Sequence, residues 1–345
     1  MSRRDDVLEA LRAAGGAGVS GETLAAELGV SRMAVSKHVS ALREAGYDVA
    51  SRPGAGYVLL GVPDAPLPAQ VARLVGPDWV RLEGGGVTGS TNADAVALAR
   101  AGAPHATAVL ASRQTAGKGR LGRSWASPEG GVYVSAVLRP ALVPADLAGL
   151  PLAVAVGVAG ELGHFGIDVS VKWPNDLLTP AGKLGGILLE MAGEADRTEW
   201  VVVGVGLNVH PFARTPGAAY LADEARSARA YETAAAVLDG IACGYRMLVD
   251  DGFAAVRDAF ARRDALAGTR VRVHDADGRL RAEGVASGID GDGRLVVETA
   301  AGPVALAAGD VTLAPGCDHT AGLPRNCGDR TGAPRSGGAP EEEAR

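Results

Sequence analysis

Apolar residues recur at helical spacing three times within the first 46 positions. In "RDDVLEALRAAGG", Val7, Leu8 and Leu11 share one face and Gly15-Gly16 ends the run. In "SGETLAAELGV", Ser20 stands at an N-cap position, Leu24 and Leu28 point inward, and Gly29 marks a turn. In "SRMAVSKHVSALREAG", Ser31 is the N-cap, Val35, Val39 and Leu42 form one face, and Gly46 closes the segment. Two helices joined by a tight glycine turn predict a helix-turn-helix. "YDVASRPGAGYVLL" follows as two short β-like runs around Pro53-Gly54, a hairpin wing. "GVPDAPLP" (61–68) then reads as a proline-rich linker.

Further along, β-like and helical runs alternate. Strands are expected at 107–112, 132–138, 169–173, 186–191 and 200–209, and helices at 91–102, 146–166 and along 228–263. This mixture predicts an α+β chain with a mixed α/β central domain. After 267 come short β segments with turns ("TRVRVHD", "AEGVASGID", "RLVVET", "PVALA", "DVTLA"), the pattern of a small β-barrel. The expected division is 1–62 (winged helix-turn-helix), 63–77 (linker), 78–266 (central domain), 267–315 (barrel) and 316–345 (a Pro/Gly/charge-rich tail, expected to be disordered). No internal repeat emerges.

Composition adjusts this picture in a few places. With 47% hydrophobic but only 4% aromatic residues, Val, Leu and Ala must fill the core. A formal net charge of −6 argues against a protein that coats polyanions, while leaving room for a local basic patch. Cys243, Cys317 and Cys327 form no zinc or disulfide framework, as expected of a cytoplasmic protein. The N-terminus lacks the apolar run of a signal peptide, and "LPLAVAVGVAGEL" from Leu150 reads as too short to span a bilayer, so no membrane association is expected.

The third helix carries Arg32, Lys37 and Arg43 with no acid between Ser31 and Arg43, together with polar Ser36 and His38. Cations for phosphates and short polar groups for base edges are what a recognition helix requires. The first 52 residues hold seven Lys/Arg and seven Asp/Glu, so any affinity for DNA rests on this local cluster.

"GKGRLGRSW" (117–125) contains a formal G-x-G-x-x-G. A dinucleotide-binding turn would open a helix and be followed by an acid about 20 residues later. Neither is present, and Lys118, Arg120 and Arg123 sit inside the loop. Glycine-exposed N–H groups with three cations suit a phosphate or acyl-phosphate. "GSTNADA" (89–95) lacks the lysine of a phosphate-binding P-loop. Its Ser90 and Thr91 read either as helix caps or as short polar groups facing a ligand. In "VKWPNDLLTPAGKLGGILLEM" (171–191), a strand with Lys172 ends at Trp173-Pro174, Asn175 and Asp176 form a turn, and Lys183 starts the next strand of a hairpin. Asp176 is a candidate Mg²⁺ ligand and the lysines are candidate phosphate partners; a plain turn with solvated charges fits the spacing equally. Asn208, ending "GVGLN", is either a satisfied core amide or a ligand contact.

Together "GSTN", Gln114 before "GKGRLGRSW", "KWPND", "KLGGILLE" and "GVGLN" resemble, in order and spacing, the motifs of the biotin–protein ligase family. "LGVSRMAVSKHVSALREAGYDV" with "PGAGY" resembles the DNA-binding domain of its bifunctional members, which also repress biotin synthesis genes. The resemblance covers about residues 5–315. It implies a ligase domain of the biotin/lipoate type, an SH3-like C-terminal domain, the substrates ATP and biotin with Mg²⁺, and biotinyl-5'-AMP as both intermediate and co-repressor. It implies that Ser90, Thr91, Asn92, Gln114, Lys118, Gly119, Arg120 and Lys183 meet biotin. Arg120, Arg123, Trp125, Lys172, Asn175, Asp176 and Asn208 would meet ATP or the adenylate, with Arg120 and Lys183 catalytic and Asp176 on the metal. Ser31, Arg32, Ser36, Lys37, His38 and Arg43 would meet DNA. The implied partners are a biotin carboxyl carrier domain, operator DNA and a second copy of the chain. Lys118 stands where some members have arginine. The segment 212–227, where relatives cover adenine, offers only Phe212 and Tyr220 as aromatics. A biotin-sensing transcription factor with lost catalysis and a lipoate ligase are the alternatives, and the basic loop and the DNA-binding domain argue against the lipoate ligase.

Overall fold

The computed structural model describes residues 3–211, 215–225 and 228–313. The tail from 316, with Cys317 and Cys327, lies outside the described residues, as does Phe212.

The N-terminal unit forms as its periodicity predicts. It comprises α1 (Arg3–Ala14), α2 (Gly21–Leu28), α3 (Arg32–Glu44) and an antiparallel wing of β1 (Asp48–Arg52) and β2 (Gly56–Gly61). Ser20 and Ser31 cap α2 and α3 by accepting the N–H of Thr23 (3.0 Å) and Ala34 (3.2 Å). Gly29 takes the left-handed conformation at φ 62°, which turns the chain between the two helices. Val7, Leu8, Leu11, Leu24, Val35, Val39 and Leu42 are buried together under Tyr47 and Val49 of the wing.

The expected linker is a packed segment rather than a free spacer. It holds a short helix, α4 (Pro68–Val71), and Arg12 donates to the Ala69 carbonyl at 3.3 Å. Asp64 accepts the N–H of Ala230 at 2.5 Å and lies 3.0 Å from His210 Nε2, while Gly76 N–H donates to Asp239 at 3.0 Å.

The central domain runs β3 (Arg81–Gly84), β4 (Val87–Thr88), α5 (Thr91–Arg100), β5 (Thr107–Ala111), β6 (Arg113–Gln114), β7 (Gly131–Leu138), α6 (Leu150–Gly163), β8 (Ser170–Lys172), β9 (Asp176–Thr179), β10 (Gly182–Glu194), β11 (Arg197–Asn208), α7 (Leu221–Glu224), α8 (Ala230–Asp250) and α9 (Phe253–Ala261). Seven strands form one sheet in the order β3-β5-β7-β11-β10-β9-β8, antiparallel except for β3 with β5. β4 and β6 pair separately, in parallel. Every residue of β7 is buried, because helices cover both faces: Val109, Val137 and Val202 pack on Ala95 and Ala99 of α5, and Val134, Ala136, Val203 and Val205 face the core shared with α6 and α8. α6 and α8 approach closely. A Cβ on Gly157 would stand 2.1 Å from the Gly240 carbonyl oxygen, and one on Gly244 would stand 2.3 Å from that of Ala153.

Two helical expectations need correction. The run 228–263 is two helices, broken where Gly252 takes φ 79°. The run 146–166 begins as a 3-10 turn and becomes α-helical only at Leu150. Counted together with that turn, from Pro144 to Gly163, the run spans 20 residues and is long and apolar enough by composition to cross a membrane, while the α-helix that begins at Leu150 has 14. Its apolar surface lies mainly inside the fold, where 67% of the window is buried.

The C-terminal domain contains β12 (Arg270–His274), β13 (Leu280–Ile289), β14 (Leu295–Thr299), β15 (Gly302–Leu306) and β16 (Asp310–Leu313). They form a five-stranded antiparallel sheet in the order β15-β14-β13-β12-β16. Val271, Val273, Ala286, Leu295, Val297 and Val311 continue the central core. The Trp173 indole N–H donates to the Gly293 carbonyl at 3.0 Å, so the two domains share a hydrogen bond beside the site.

Candidate active site

The basic glycine loop leaves β6 and returns on itself. Lys118 and Ser124 bridge in antiparallel fashion, Gly119 N–H donates to the Arg123 carbonyl at 2.7 Å, and Trp125 N–H donates to that of Gly117 at 2.9 Å. Only a single 3-10 turn, Arg120–Gly122, lies between, so no helix follows the glycines. Two of the three glycines are required by geometry. A Cβ on Gly117 would stand 2.4 Å from Ser127 Oγ, and Gly122 adopts φ 73°. Leu121 also takes a positive φ of 55°, an uncommon conformation for a branched side chain at a loop tip.

This loop, the β8–β9 turn and the β9–β10 hairpin enclose a cavity of about 520 Å³. Lys118, Arg120, Arg123, Lys172 and Lys183 all reach its wall. Lys183 Nζ lies 2.7 Å from Asp176 Oδ1 and 5.2 Å from the centre of the Trp125 ring. Arg120 donates to Asn175 Oδ1 at 3.1 Å, and Asn175 Nδ2 donates to the Ile187 carbonyl at 2.6 Å, so the asparagine orients the arginine. Burial pushes the Lys172 ammonium below the usual lysine range, opposed by Asp176 and Asp310 and assisted by Lys183. Burial likewise lowers Arg120, which stays charged. Arg123 forms a two-armed pair with Asp310 of β16. Asn208 is displaced from the cavity wall: its Nδ2 donates to the Lys183 carbonyl at 3.2 Å, fixing the strand that carries the lysine.

Trp125 lies half-buried across the glycine floor of β10 and β11. A Cβ on Gly206 would stand 2.7 Å from its Nε1. That Nε1 is buried and has no partner among the described residues.

A second, small hollow adjoins the first, shared through Lys118 and Leu188. Ser90 caps α5, with Ala93 N–H at 3.5 Å. Thr91 donates to Gln114 Oε1 through both its N–H (2.8 Å) and its hydroxyl (3.1 Å). Gln114 Nε2 donates to Ser127 Oγ at 2.8 Å. Ser135 Oγ lies 2.7 Å from Thr91 Oγ1 and 2.6 Å from Asn92 Oδ1, and Asn92 Nδ2 donates to Glu190 at 3.0 Å. The hollow is thus walled by a network of fixed amides and hydroxyls over a floor at Gly204–Gly206. Sequence reasoning missed Ser127, Ser135 and Glu190. The signal for Ser135 was present, since it is the one aliphatic hydroxyl in the largely apolar run "VYVSAVL". Tyr133 also borders the hollow; its phenol donates to the Pro128 carbonyl at 2.9 Å and burial raises its pKa.

On α3, Arg32, Ser36 and Lys37 are exposed, and His38 is half-buried. Ser31 is committed to its cap. Arg43 braces the wing, donating to the Val49 carbonyl at 2.8 Å and to Ser51 Oγ at 2.9 Å. In the segment expected to cover adenine, Tyr220 is buried and its hydroxyl accepts the Thr215 N–H at 3.1 Å.

Residues 85–208 match the profile of the biotin/lipoate A/B protein ligase family, residues 3–58 an HTH domain, and residues 267–313 the biotin protein ligase C terminal domain. The bifunctional ligase/repressor BirA of Bacillus spizizenii is 32% identical over 326 residues, spanning 90% of this chain and 98% of that protein. The protein of the same description from Escherichia coli is 38% identical over 203 residues, 55% of this chain and 59% of the relative. Among solved structures, the biotin protein ligase from Aquifex aeolicus in complex with biotin and ATP superposes with a TM-score of 0.58 at 25% identity, covering 69% of this chain and 99% of that one.

Proposed function

The chain belongs to the biotin–protein ligase family of bifunctional ligase/repressors, and we propose that it activates biotin with ATP, transfers it to a carrier lysine, and represses transcription through its winged helix-turn-helix. The observation that carries the catalytic half is the convergence of five cations on one cavity beside a hollow of fixed amides and hydroxyls.

The chemistry needs such a site. Biotin's carboxylate oxygen attacks the α-phosphorus of ATP, forming biotinyl-5'-AMP and releasing pyrophosphate. The reaction brings two anions together, and cations between them offset the repulsion and stabilise the charge of the transition state. Lys183 and Arg120 take this catalytic role, with Arg123 and Lys172 toward the phosphates. Lys183 is held between a carboxylate and an aromatic face, and Arg120 is oriented by Asn175. Ser90, Thr91, Asn92, Gln114, Lys118 and Gly119 suit the polar ring of biotin. Trp125 lines the cavity, and its buried N–H, which has no partner among the described residues, is available to a ligand acceptor once the loop moves. In the second step the carrier's lysine amine attacks the anhydride carbonyl, loses a proton, and AMP departs. Closing the loop 117–125 over the adenylate would exclude water and limit its hydrolysis.

Among the described residues no group of three or more His, Cys, Asp or Glu side chains is placed to hold a metal. Mg²⁺ commonly binds through one or two carboxylates with substrate phosphates, which fits Asp176 together with a bound nucleotide. When bound, the ion would neutralise phosphate charge. The remaining partners follow from the same reading: a biotin carboxyl carrier domain, operator DNA bound as a homodimer, and a cytoplasmic location. Incubating the protein with ATP, biotin and a biotin-carrier domain tests it; a carrier that stays unlabelled rules out the ligase.

A further inference from the structure

Two carboxylates face the cationic cavity, Asp176 and Asp310. Asp176 lies in the hairpin motif and pairs with Lys183. Asp310 comes from β16 of the C-terminal domain, 187 residues from its partner Arg123, whose guanidinium it engages through both carboxylate oxygens. Arg120 and Lys172 act on the same carboxylate through space, and with Arg123 they hold it below the usual aspartate range. Its placement is firm: a Cβ on neighbouring Gly309 would stand 2.6 Å from Val273 Cγ1, so β16 presses against β12 at this point.

The pair is solvated, with Arg123 59% and Asp310 34% exposed. Ion pairs this open contribute little to stability, so this one does not hold the domains together. The Trp173–Gly293 hydrogen bond and the shared apolar core do that. What the pair does is fill the fork of Arg123, whose planar donors match a phosphate as well as a carboxylate. A polyphosphate carries more charge than one carboxylate and competes for the same fork.

We propose that Asp310 is a resident counter-anion: it occupies Arg123 in the ligand-free protein and is displaced by a polyphosphate ligand, so that it sets the affinity of the cavity for nucleotide. Its release also uncouples the loop 117–125 from the C-terminal sheet, so that loop closure and phosphate binding become one event. The inference rests on the reading of this cavity as the nucleotide site.

The test is calorimetric titration of the full chain with inorganic pyrophosphate. Asp310→Asn is expected to bind it about five-fold more tightly than the wild type, the scale of one solvated ion pair. Asp310→Glu is expected to return toward wild-type affinity. Arg123→Gln should bind more weakly, and adding Asp310→Asn to it should recover less than about two-fold, because the aspartate acts through Arg123. Unchanged or weaker binding by Asp310→Asn, or an equal gain in both backgrounds, overturns the proposal. Carrier labelling by the wild type separates the two readings. An unlabelled carrier with the Asp310→Asn gain removes the ligase and keeps the counter-anion; a labelled carrier without the gain does the reverse.

Discussion

The cavity and the recognition helix both present cations to phosphates, but they do so in opposite surroundings. In the cavity, Arg120, Lys172 and Lys183 are half-buried; Asn175 holds Arg120, and Asp176 and Trp125 hold Lys183. On α3, Arg32 and Lys37 are exposed and form no ion pair among the described residues. Partial burial strengthens each charge–charge interaction and fixes its direction, which suits a transition state. Full solvation leaves the charges mobile and screened, which suits reversible binding along a duplex. The same residue types therefore serve chemistry in one place and docking in the other, and neighbouring carboxylates and aromatics make the difference.

The largest expected effect tests the buried side. Lys183→Ala should cost roughly 3–4 kcal/mol of transition-state stabilisation, a drop of about 10²–10³ in kcat for biotinyl-5'-AMP formation, measured by pyrophosphate release. Operator binding by the ligand-free protein should be unaffected, and a parallel loss there would break the separation of the two regions.

Burial acts on an anion at Asp264, whose pKa is raised from 3.8 to about 6, chiefly by desolvation and against two backbone hydrogen bonds. The folded state then holds a proton more tightly than the unfolded state between those values, so this group makes stability fall as pH rises through that window and leaves it lowered above it. Asp264→Asn should therefore stabilise the protein by at most about 3 kcal/mol at pH 7.5 and by close to nothing at about pH 2.5, below the unfolded pKa. Denaturant melts at the two pH values check this; an equal change at both would mean that the charge is not responsible.

The exposed side predicts smaller, salt-dependent effects. Lys37→Ala and Arg32→Ala should each weaken operator binding on the order of 1 kcal/mol and reduce the slope of log K against log salt by about one. A flat salt response in the wild type would sink phosphate anchoring by α3. Ser31→Ala should cost about 1 kcal/mol of stability through the lost cap, read from the melting temperature, with little change in the salt slope.

The order of the elements was legible wherever a local rule sufficed. Caps at Ser20 and Ser31, the left-handed Gly29, the wing and the strand-by-strand pattern of the C-terminal domain each follow from a few neighbouring residues. The rejection of a dinucleotide turn at 117–122 was likewise local, and the loop forms only one 3-10 turn. The long run 228–263 failed at Gly252, where the glycine after Asp250-Asp251 takes a positive φ and ends the first helix, a local stop signal that the apolar periodicity on either side obscured. In the site, motif residues identified all five cations of the cavity wall, but not the contacts that hold them. Arg43 reads as a DNA contact on helical charge alone, whereas the folded wing places backbone and serine acceptors on it.

By itself the sequence determined the three-part division, the glycine and cation content of the loop, and the hairpin that carries Lys183, because each depends on propensities and spacings within a few turns of chain. Only the tertiary structure decided which polar groups meet. Ser135 joins Thr91 across 44 residues, Glu190 meets Asn92 across 98, and Asp310 reaches Arg123 across 187. Such pairs are set by the register of a seven-stranded sheet and by the seating of one domain on another. A side chain's direction there follows from the packing of the whole core, which no short window of sequence contains.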